Sequence, residues 1–238
     1  MFQVVPSDSR GQADHGWLKA KHTFSFADYH NPEMMGFGPL RVINEDRIEP
    51  SKGFGTHPHR DMEIVTYIVK GALEHKDSMG NGSVIQAGDV QRMTAGTGVF
   101  HSEFNNSPDE SVHLLQIWIL PRENSLQPGY EQTHFARETK LNQWRLVASH
   151  DGRDDSMTIH QGVDLYATVL EAGKELRRDL AAGHSAYLQI VSGSVTANGE
   201  KLEAGDGAAI HELEALTVHA TSEAEFILFD MGMPQARD

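Results

Sequence analysis

The chain has 238 residues, 14 histidines, no cysteine, and 34 acidic against 20 basic side chains, for a formal charge of −14. Zero cysteine excludes a disulfide framework, a thiolate metal site and a cysteine nucleophile. The acidic balance, without any Lys/Arg-rich run, disfavours direct contact with nucleic acid, and no apolar run reaches the ~18 residues of a membrane span.

The opening Met1-Phe2-Gln3-Val4-Val5-Pro6-Ser7 has no basic region leading into an apolar one. The expectation is therefore a cytoplasmic chain without a signal peptide, a monomer that binds neither membrane nor nucleic acid. Along the chain, short runs rich in β-branched and aromatic residues alternate with turn signals, the pattern of an antiparallel sandwich or barrel. Ile64 to Val69 is followed by Lys70-Gly71, then by Ala72 to His75, then by the turn Met79-Gly80-Asn81-Gly82. Val112 to Leu120, Ala186 to Val191, Ser194 to Ala197 and Glu225 to Asp230 continue the pattern. Only Pro108 to Ser111 and Phe135 to Gln143 suggest short helices. The fold class is all-β.

An internal repeat gives this class an architecture. Residues 81–89 read N-G-S-V-I-Q-A-G-D and residues 198–206 read N-G-E-K-L-E-A-G-D. Just upstream, Ile68-Val69-Lys70-Gly71 matches Ile190-Val191-Ser192-Gly193, with a shorter hairpin in the second copy. Two ordered turn signatures with matching strands between them indicate duplication. The Pro-, Gly- and polar-rich stretch Pro121 to Gln132 marks the boundary, which gives domains 1–125 and 126–238.

His57-Pro58-His59 opens a strand, and residues i and i+2 of an extended chain share a face. Pro58 lacks an N–H, so this strand must be an edge or a strand start. His101-Ser102-Glu103 repeats the two-residue spacing. Folding both segments into one barrel converges three imidazoles and a carboxylate, a donor set suited to a divalent transition metal. Glu63 shares strand parity with His57 and His59 and is a second candidate carboxylate. Carrying His57, His59, His101 and Glu103 across the repeat gives Asp179, Ala181, Val218 and Ala220, so the second copy keeps the turns without the ligands.

Gly55 to Gly71, with H-x-H, a Glu four residues on and a closing Gly, resembles the first cupin motif; Gly88 to Asn105 resembles the second. More narrowly, H-G-W-L at 15–18, H-T-F-S-F at 22–26, G-F-G-P-L-R-V-I-N at 36–44, F-G-T-H-P-H at 54–59, E-H-K-D-S-M-G-N at 74–81 and G-T-G-V-F-H-S-E at 96–103 resemble the pirins, and within them bacterial pirins with quercetin 2,3-dioxygenase activity. The second half resembles the family mainly through the repeat and the ending Leu228-Phe229-Asp230.

The resemblance implies two tandem cupin, jelly-roll-like barrels, with metal ligands His57, His59, His101 and Glu103 in the N-terminal one and a degenerate C-terminal one. It selects Glu103 over Glu63 as the carboxylate ligand, and the carboxylate at the metal, Glu103 or else Glu63, is the expected proton acceptor. It implies one divalent ion, Fe(II) before Mn, Co, Ni, Cu or Zn, and a planar flavonol that loses its 3-hydroxyl proton, meets O2 and opens with release of carbon monoxide. Phe37, Phe54, Met62 and Phe100 are candidate pocket walls. A regulatory binding module acting through a protein partner is the alternative. His75 beside Asp77, and His113 in its apolar strand, read as hydrogen-bonded structural residues. His22, His134, His150, His160, His184, His211 and His219 have no partner at ligand spacing.

Overall fold

The computed structural model describes residues 1–232, in which short strands, nearly all paired antiparallel, are the dominant secondary structure. The first twelve are β1 (Phe2–Val5), β2 (Gly11–Asp14), β3 (Leu18–His22), β4 (Leu40–Ile48), β5 (Gly53–His59), β6 (Glu63–Lys70), β7 (Ala72–Asp77), β8 (Gly82–Gln86), β9 (Asp89–Thr94), β10 (Val99–Phe104), β11 (Val112–Ile119) and β12 (Gly129–His134). After the one-turn helix Arg137–Lys140 come β13 (Arg145–Ser149), β14 (Met157–Thr158), β15 (Val163–Leu170), β16 (Glu175–Asp179), β17 (Ser185–Ser192), β18 (Ser194–Ala197), β19 (Glu200–Glu203), β20 (Gly207–His211), β21 (Ala215–Ala220) and β22 (Ala224–Met231). Among the described residues no helix is long and apolar enough to cross a membrane.

The helix expected at Pro108 to Ser111 does not form. Ser107 Oγ accepts from the backbone N–H groups of Asp109 (3.3 Å) and Glu110 (3.0 Å), and this local turn replaces a helical start. The helix expected at Phe135 to Gln143 shrinks to Arg137–Lys140, whose N-cap, Ala136, offers no side-chain acceptor.

The strands form two units. One comprises Gly11–His134 with Ile159–Gln161; the other comprises Met1–Arg10, Phe135–Thr158 and the described residues from Gly162 on. The first carries a seven-stranded sheet, β12-β9-β6-β11-β4-β3-β2, and a four-stranded sheet, β5-β10-β7-β8. The second carries β1-β20-β17-β22-β15-β13-β14 and β16-β21-β18-β19. The two strand orders correspond except at the outermost strand, where β2 pairs antiparallel with β3 but β14 pairs parallel with β13, and this correspondence is the duplication legible in the sequence.

The outer edges differ from a division at residues 125 and 126. β12 hydrogen-bonds to β9, so Gly129 to His134 lie in the first unit. β1 pairs with β20, so Phe2 to Val5 lie in the second. Both strands cover an otherwise open sheet edge at equivalent places.

The shared turns have a backbone cause. Gly71 (φ 81) and Gly193 (φ 74) both sit in the left-handed region, and a Cβ at Gly193 would lie 2.0 Å from the Glu223 carbonyl oxygen. In the second unit Asn198 (φ 46) and Gly199 (φ 90) make the tight turn expected of Asn-Gly. In the first unit the turn is wider and is organised by Asp77, whose Oδ1 accepts from the N–H groups of Met79 (2.9 Å) and Asn81 (3.0 Å).

Side chains from both sheets close each unit. In the first, Leu18, Ile48, Ile68 and Leu114 pack with Leu73 and Ile85. In the second, Leu188, Phe226 and Leu228 pack with Val195, Leu202, Leu216 and Val218.

Candidate metal centre and its cavity

β5 is the edge of its sheet, which is where Pro58 can sit without breaking a ladder. β10 pairs with it so that His101 lies opposite His57, while Glu103 lies opposite Phe54. Between these pairs the register shifts, so β5 holds one extra residue, a bulge that re-aims the chain next to the histidines. The His57 Nδ1–H donates to the Gly55 carbonyl at 2.8 Å, inside this bulge. That bond fixes the tautomer and leaves His57 Nε2 with a lone pair.

His57, His59 and His101 come together as the spacing predicts. Their ring centroids are 4.4 to 4.8 Å apart, and each offers one ring nitrogen within 4.8 Å of the others. The Nε2 atoms of His57 and His101 are 3.0 Å apart. Two nitrogens bound about 2.1 Å from one ion at a right angle are separated by about 3.0 Å, so this pair has the spacing of adjacent ligands. His101 Nδ1 is buried without a hydrogen-bond partner.

Glu103 lies two residues further along β10, on the same face as His101. It groups with His101 and His75, again with ligand atoms within 4.8 Å, rather than with all three histidines at once. Gln116 Nε2 donates to both of its oxygens at 3.1 Å, while Gln116 Oε1 accepts from Thr66 Oγ1 at 2.9 Å.

The electrostatics favour a cation. Burial, with His57 beside it, pushes the His59 imidazole down to about 4. His101 is lowered further, by burial first and then by His57, His59 and His75. Both rings are therefore neutral at pH 7, the form that ligates a metal. Burial pushes the Glu103 carboxyl up to about 7 against the opposing Gln116 bonds. A nearby cation reverses that cost by favouring the carboxylate. Three converging imidazoles and a buried carboxylate thus fit a divalent transition ion.

Glu63 takes no place in either group. It is fully buried on β6, where Oε2 accepts from Thr94 Oγ1 (3.1 Å) and Oε1 lies 3.4 Å from His160 Nδ1. Parity on an extended chain suggested a shared face, but Asp61, at φ 50, turns the chain between His59 and Glu63. His75 Nε2 lies 3.2 Å from Asp77 Oδ2, and His113 Nε2 lies 2.9 Å from Glu45 Oε1, so each ring has a carboxylate partner.

Several histidines without a partner at ligand spacing find acidic partners in space, such as His134 with Asp89 (2.7 Å) and His184 with Asp230 (2.8 Å). Residue spacing along the chain cannot show these.

A cavity of about 280 Å³ opens beside the histidines. Phe26, Phe54 and Trp118 supply aromatic walls, and Trp118 stands edge-on to His59 with ring centroids 4.9 Å apart. Of the four expected wall residues only Phe54 lines it. Phe100 is 55% exposed, Met62 packs on Ile64, Met93 and Val99, and Phe37 lies outside the lining. Sequence reading missed His22, Asn44, Asp46, Gln116 and Trp118. The available signal was polar residues interrupting apolar strands, N-E-D within L-R-V-I-N-E-D-R-I and Gln within V-H-L-L-Q-I-W-I.

The second unit occupies the same positions differently. Val218 lies opposite Leu176 as His101 lies opposite His57, and Leu216 lies opposite Arg178 as Val99 lies opposite His59. The structural counterparts of His57 and His59 are therefore Leu176 and Arg178, not Asp179 and Ala181, because the segment before the duplicated strand has its own length. Ala220 stands for Glu103 and Val195 for His75.

Two β-sheet barrels in tandem, one with a histidine- and glutamate-lined cavity and the other packed with apolar side chains, define a cupin-type protein with a candidate metal centre in the first barrel. Residues 4–119 match the Pirin family and residues 146–231 match the Quercetinase C-terminal cupin domain. The quercetin 2,3-dioxygenase of Escherichia coli K12 is 48% identical over 97% of this chain and 99% of its own length. A pirin-like protein of Caulobacter vibrioides is 42% identical over 97% of this chain and 99% of its own. The crystal structure of the Escherichia coli pirin YhhW in complex with nickel(II) superposes with a TM-score of 0.94, at 47% identity, over 98% of this chain and all of that one. The chain belongs to the pirin family.

Proposed function

We propose that this protein is a metal-dependent dioxygenase that opens the central ring of a flavonol such as quercetin with O2 and releases carbon monoxide. The observation that carries this reading is the aromatic-walled cavity, into which His57, His59 and Glu103 all face. The 48% identity to a quercetin 2,3-dioxygenase supports the substrate class, and the nickel(II) complex of a 47% identical pirin supports a divalent metal.

His57, His59, His101 and Glu103 would hold the ion, with Fe(II) placed before Mn, Co, Ni, Cu or Zn. When bound it supplies Lewis acidity toward an enolic oxygen and a path for electrons between the flavonol and O2. The remaining work falls to the chain. Phe26, Phe54 and Trp118 offer apolar aromatic surface to a planar ring system and keep bulk water from it. Glu103 Oε accepts the 3-hydroxyl proton, and Gln116, anchored by Thr66, keeps that carboxylate from rotating away.

The test is O2 uptake and carbon monoxide release with quercetin by iron-loaded protein, beside His57→Ala. Wild-type turnover with an inactive variant is the expected result. Inactivity of the wild type with every first-row divalent metal would replace the enzyme by a metal-bearing binding protein.

A further inference from the structure

The cavity has a second polar edge that the proposed chemistry does not use. His22, Asn44 and Asp46 are all buried, all line the cavity, and come from β3 and β4, whereas the candidate ligands come from β5 and β10. They form a built surface. His22 lies opposite Asn44 and Ala20 opposite Asp46 in the β3–β4 register, and the His22 Nδ1–H donates to Asn44 Oδ1 at 2.9 Å. That bond commits the Asn44 carbonyl and leaves its amide N–H groups to donate, beside the Asp46 carboxylate, which only accepts when ionised. Leu18, Ala20 and the aromatic walls complete the lining.

Resting on the dioxygenase reading, we infer that His22, Asn44 and Asp46 form a hydroxyl-reading subsite, which selects flavonols carrying phenolic hydroxyls remote from the 3-hydroxyl end. The argument is chemical. An aromatic cavity alone would take any flat ring system. A buried carboxylate beside an amide donor is costly to cover with an unsubstituted ring, because its polar atoms then lose their hydrogen bonds. A phenolic O–H donates to Asp46 and accepts from Asn44. The same carboxylate disfavours a ring that presents a carboxylate or sulfate to this edge. The ligand class is therefore a neutral polyhydroxylated aromatic.

The test uses the full chain, metal-free and then iron-loaded, titrated with quercetin and with 3-hydroxyflavone, which lacks the remote hydroxyls. Binding is read by quenching of tryptophan fluorescence, and kcat/KM is read by O2 uptake. Wild type is expected to favour quercetin about tenfold or more in both readouts, the scale of one hydrogen bond to a charged group. In Asp46→Asn and Asp46→Leu the ratio should fall below about threefold, through weaker quercetin binding. Asp46→Asn preserves shape, so it reports even if the leucine variant folds poorly. An unchanged ratio in folded Asp46→Asn would overturn the subsite while leaving the dioxygenase reading intact. Failure of wild type to bind either flavonol, with or without iron, would instead remove the dioxygenase reading and the subsite with it.

Discussion

The two barrels share a strand order and differ along one line of residues. In the first, the ladder across the large sheet places His22, Asn44, Gln116, Thr66, Gln91 and Gln132 in a single row. In the second, the same row reads Leu146, Tyr166, Leu228, Leu188, Ala208 and Val4. The equivalence is anchored by the turns, since Thr66 precedes Gly71 by as many residues as Leu188 precedes Gly193. Facing the polar row are the histidines and Glu103; facing the apolar row are Leu176, Val195, Val218 and Ala220. The difference teaches that a metal-competent interior is more than its ligands. Gln116 reaches Glu103, and Gln91 Nε2 lies 3.5 Å from His75 Nδ1, so the row supports the groups around the centre. Where the ligands are absent the row is hydrophobic, and each buried leucine contributes about 1.5–3 kcal/mol to a closed core.

The largest effect should follow from breaking the contrast at its centre. His101→Ala removes the one residue common to both ligand groups. Metal retained after dialysis, measured by elemental analysis, should drop to background, and O2 uptake with quercetin should fall more than about 100-fold, beyond the loss typical of a supporting residue. Glu103→Gln should also lose metal, whereas Glu63→Gln should keep it. Loss in Glu63→Gln alone would transfer the carboxylate role to Glu63.

A polar residue put into the apolar row should cost nearly as much, but in stability. Leu228 is fully buried among Leu188, Phe226 and Val218. Leu228→Gln buries an amide without partners and loses methyl packing, so unfolding in urea should show a loss of about 3 kcal/mol. A loss below about 1 kcal/mol would mean that the second barrel tolerates a polar row, and that its apolar filling is not what keeps it closed.

Much of this contrast is legible in the sequence. The Asn-Gly and Gly-Asp turns reveal two copies, and histidines two apart reveal a shared face. Pro58 between them foretells an edge strand. What escapes sequence reading depends on register. His22, Asn44 and Gln116 are far apart in the chain, and only the ladder β3-β4-β11 aligns them. The counterparts of His57 and His59 were displaced for the same reason, since a turn match fixes the strand after it and not a strand several elements earlier. The exchange of β1 and β12 at the sheet edges carries no local signal either, because an edge strand is chosen by what lies open beside it.

Removing one rung of the polar row should act on function while sparing the fold. Gln116→Leu copies the residue of the second barrel at that place and removes the Nε2 donor that bonds both Glu103 oxygens. Metal affinity, measured by competition with a chelator, should weaken about 10- to 100-fold. Urea stability should change by less than about 1.5 kcal/mol, because leucine conserves volume while Thr66 loses one partner. Gln116→Asn, shorter but still a donor, should fall between the two. Equal affinity in all three proteins would reduce the row to packing.

The smallest effect tests the rung at the end of β6, where Glu63 lies opposite Thr94 and its counterpart Ser185 lies opposite His211. Burial holds the Glu63 carboxyl above the ordinary carboxylate range, against the opposing influence of Thr94, His160 and Arg92. A raised native value means that the folded chain binds this proton more tightly than the unfolded chain does. Its contribution to stability is therefore complete below the ordinary glutamate range and is lost as pH rises through the native value. Glu63→Gln keeps the shape and the bond from Thr94 but cannot ionise, so its Tm should fall less than that of wild type as pH rises from 4 to 8, by about 2–4 °C. Ser185→Ala, at the matching rung of the second barrel, should leave the wild-type pH slope in place. Parallel Tm profiles for wild type and Glu63→Gln would show that His160 neutralises the carboxylate fully, and the first barrel would then differ from the second through its polar row and ligands alone.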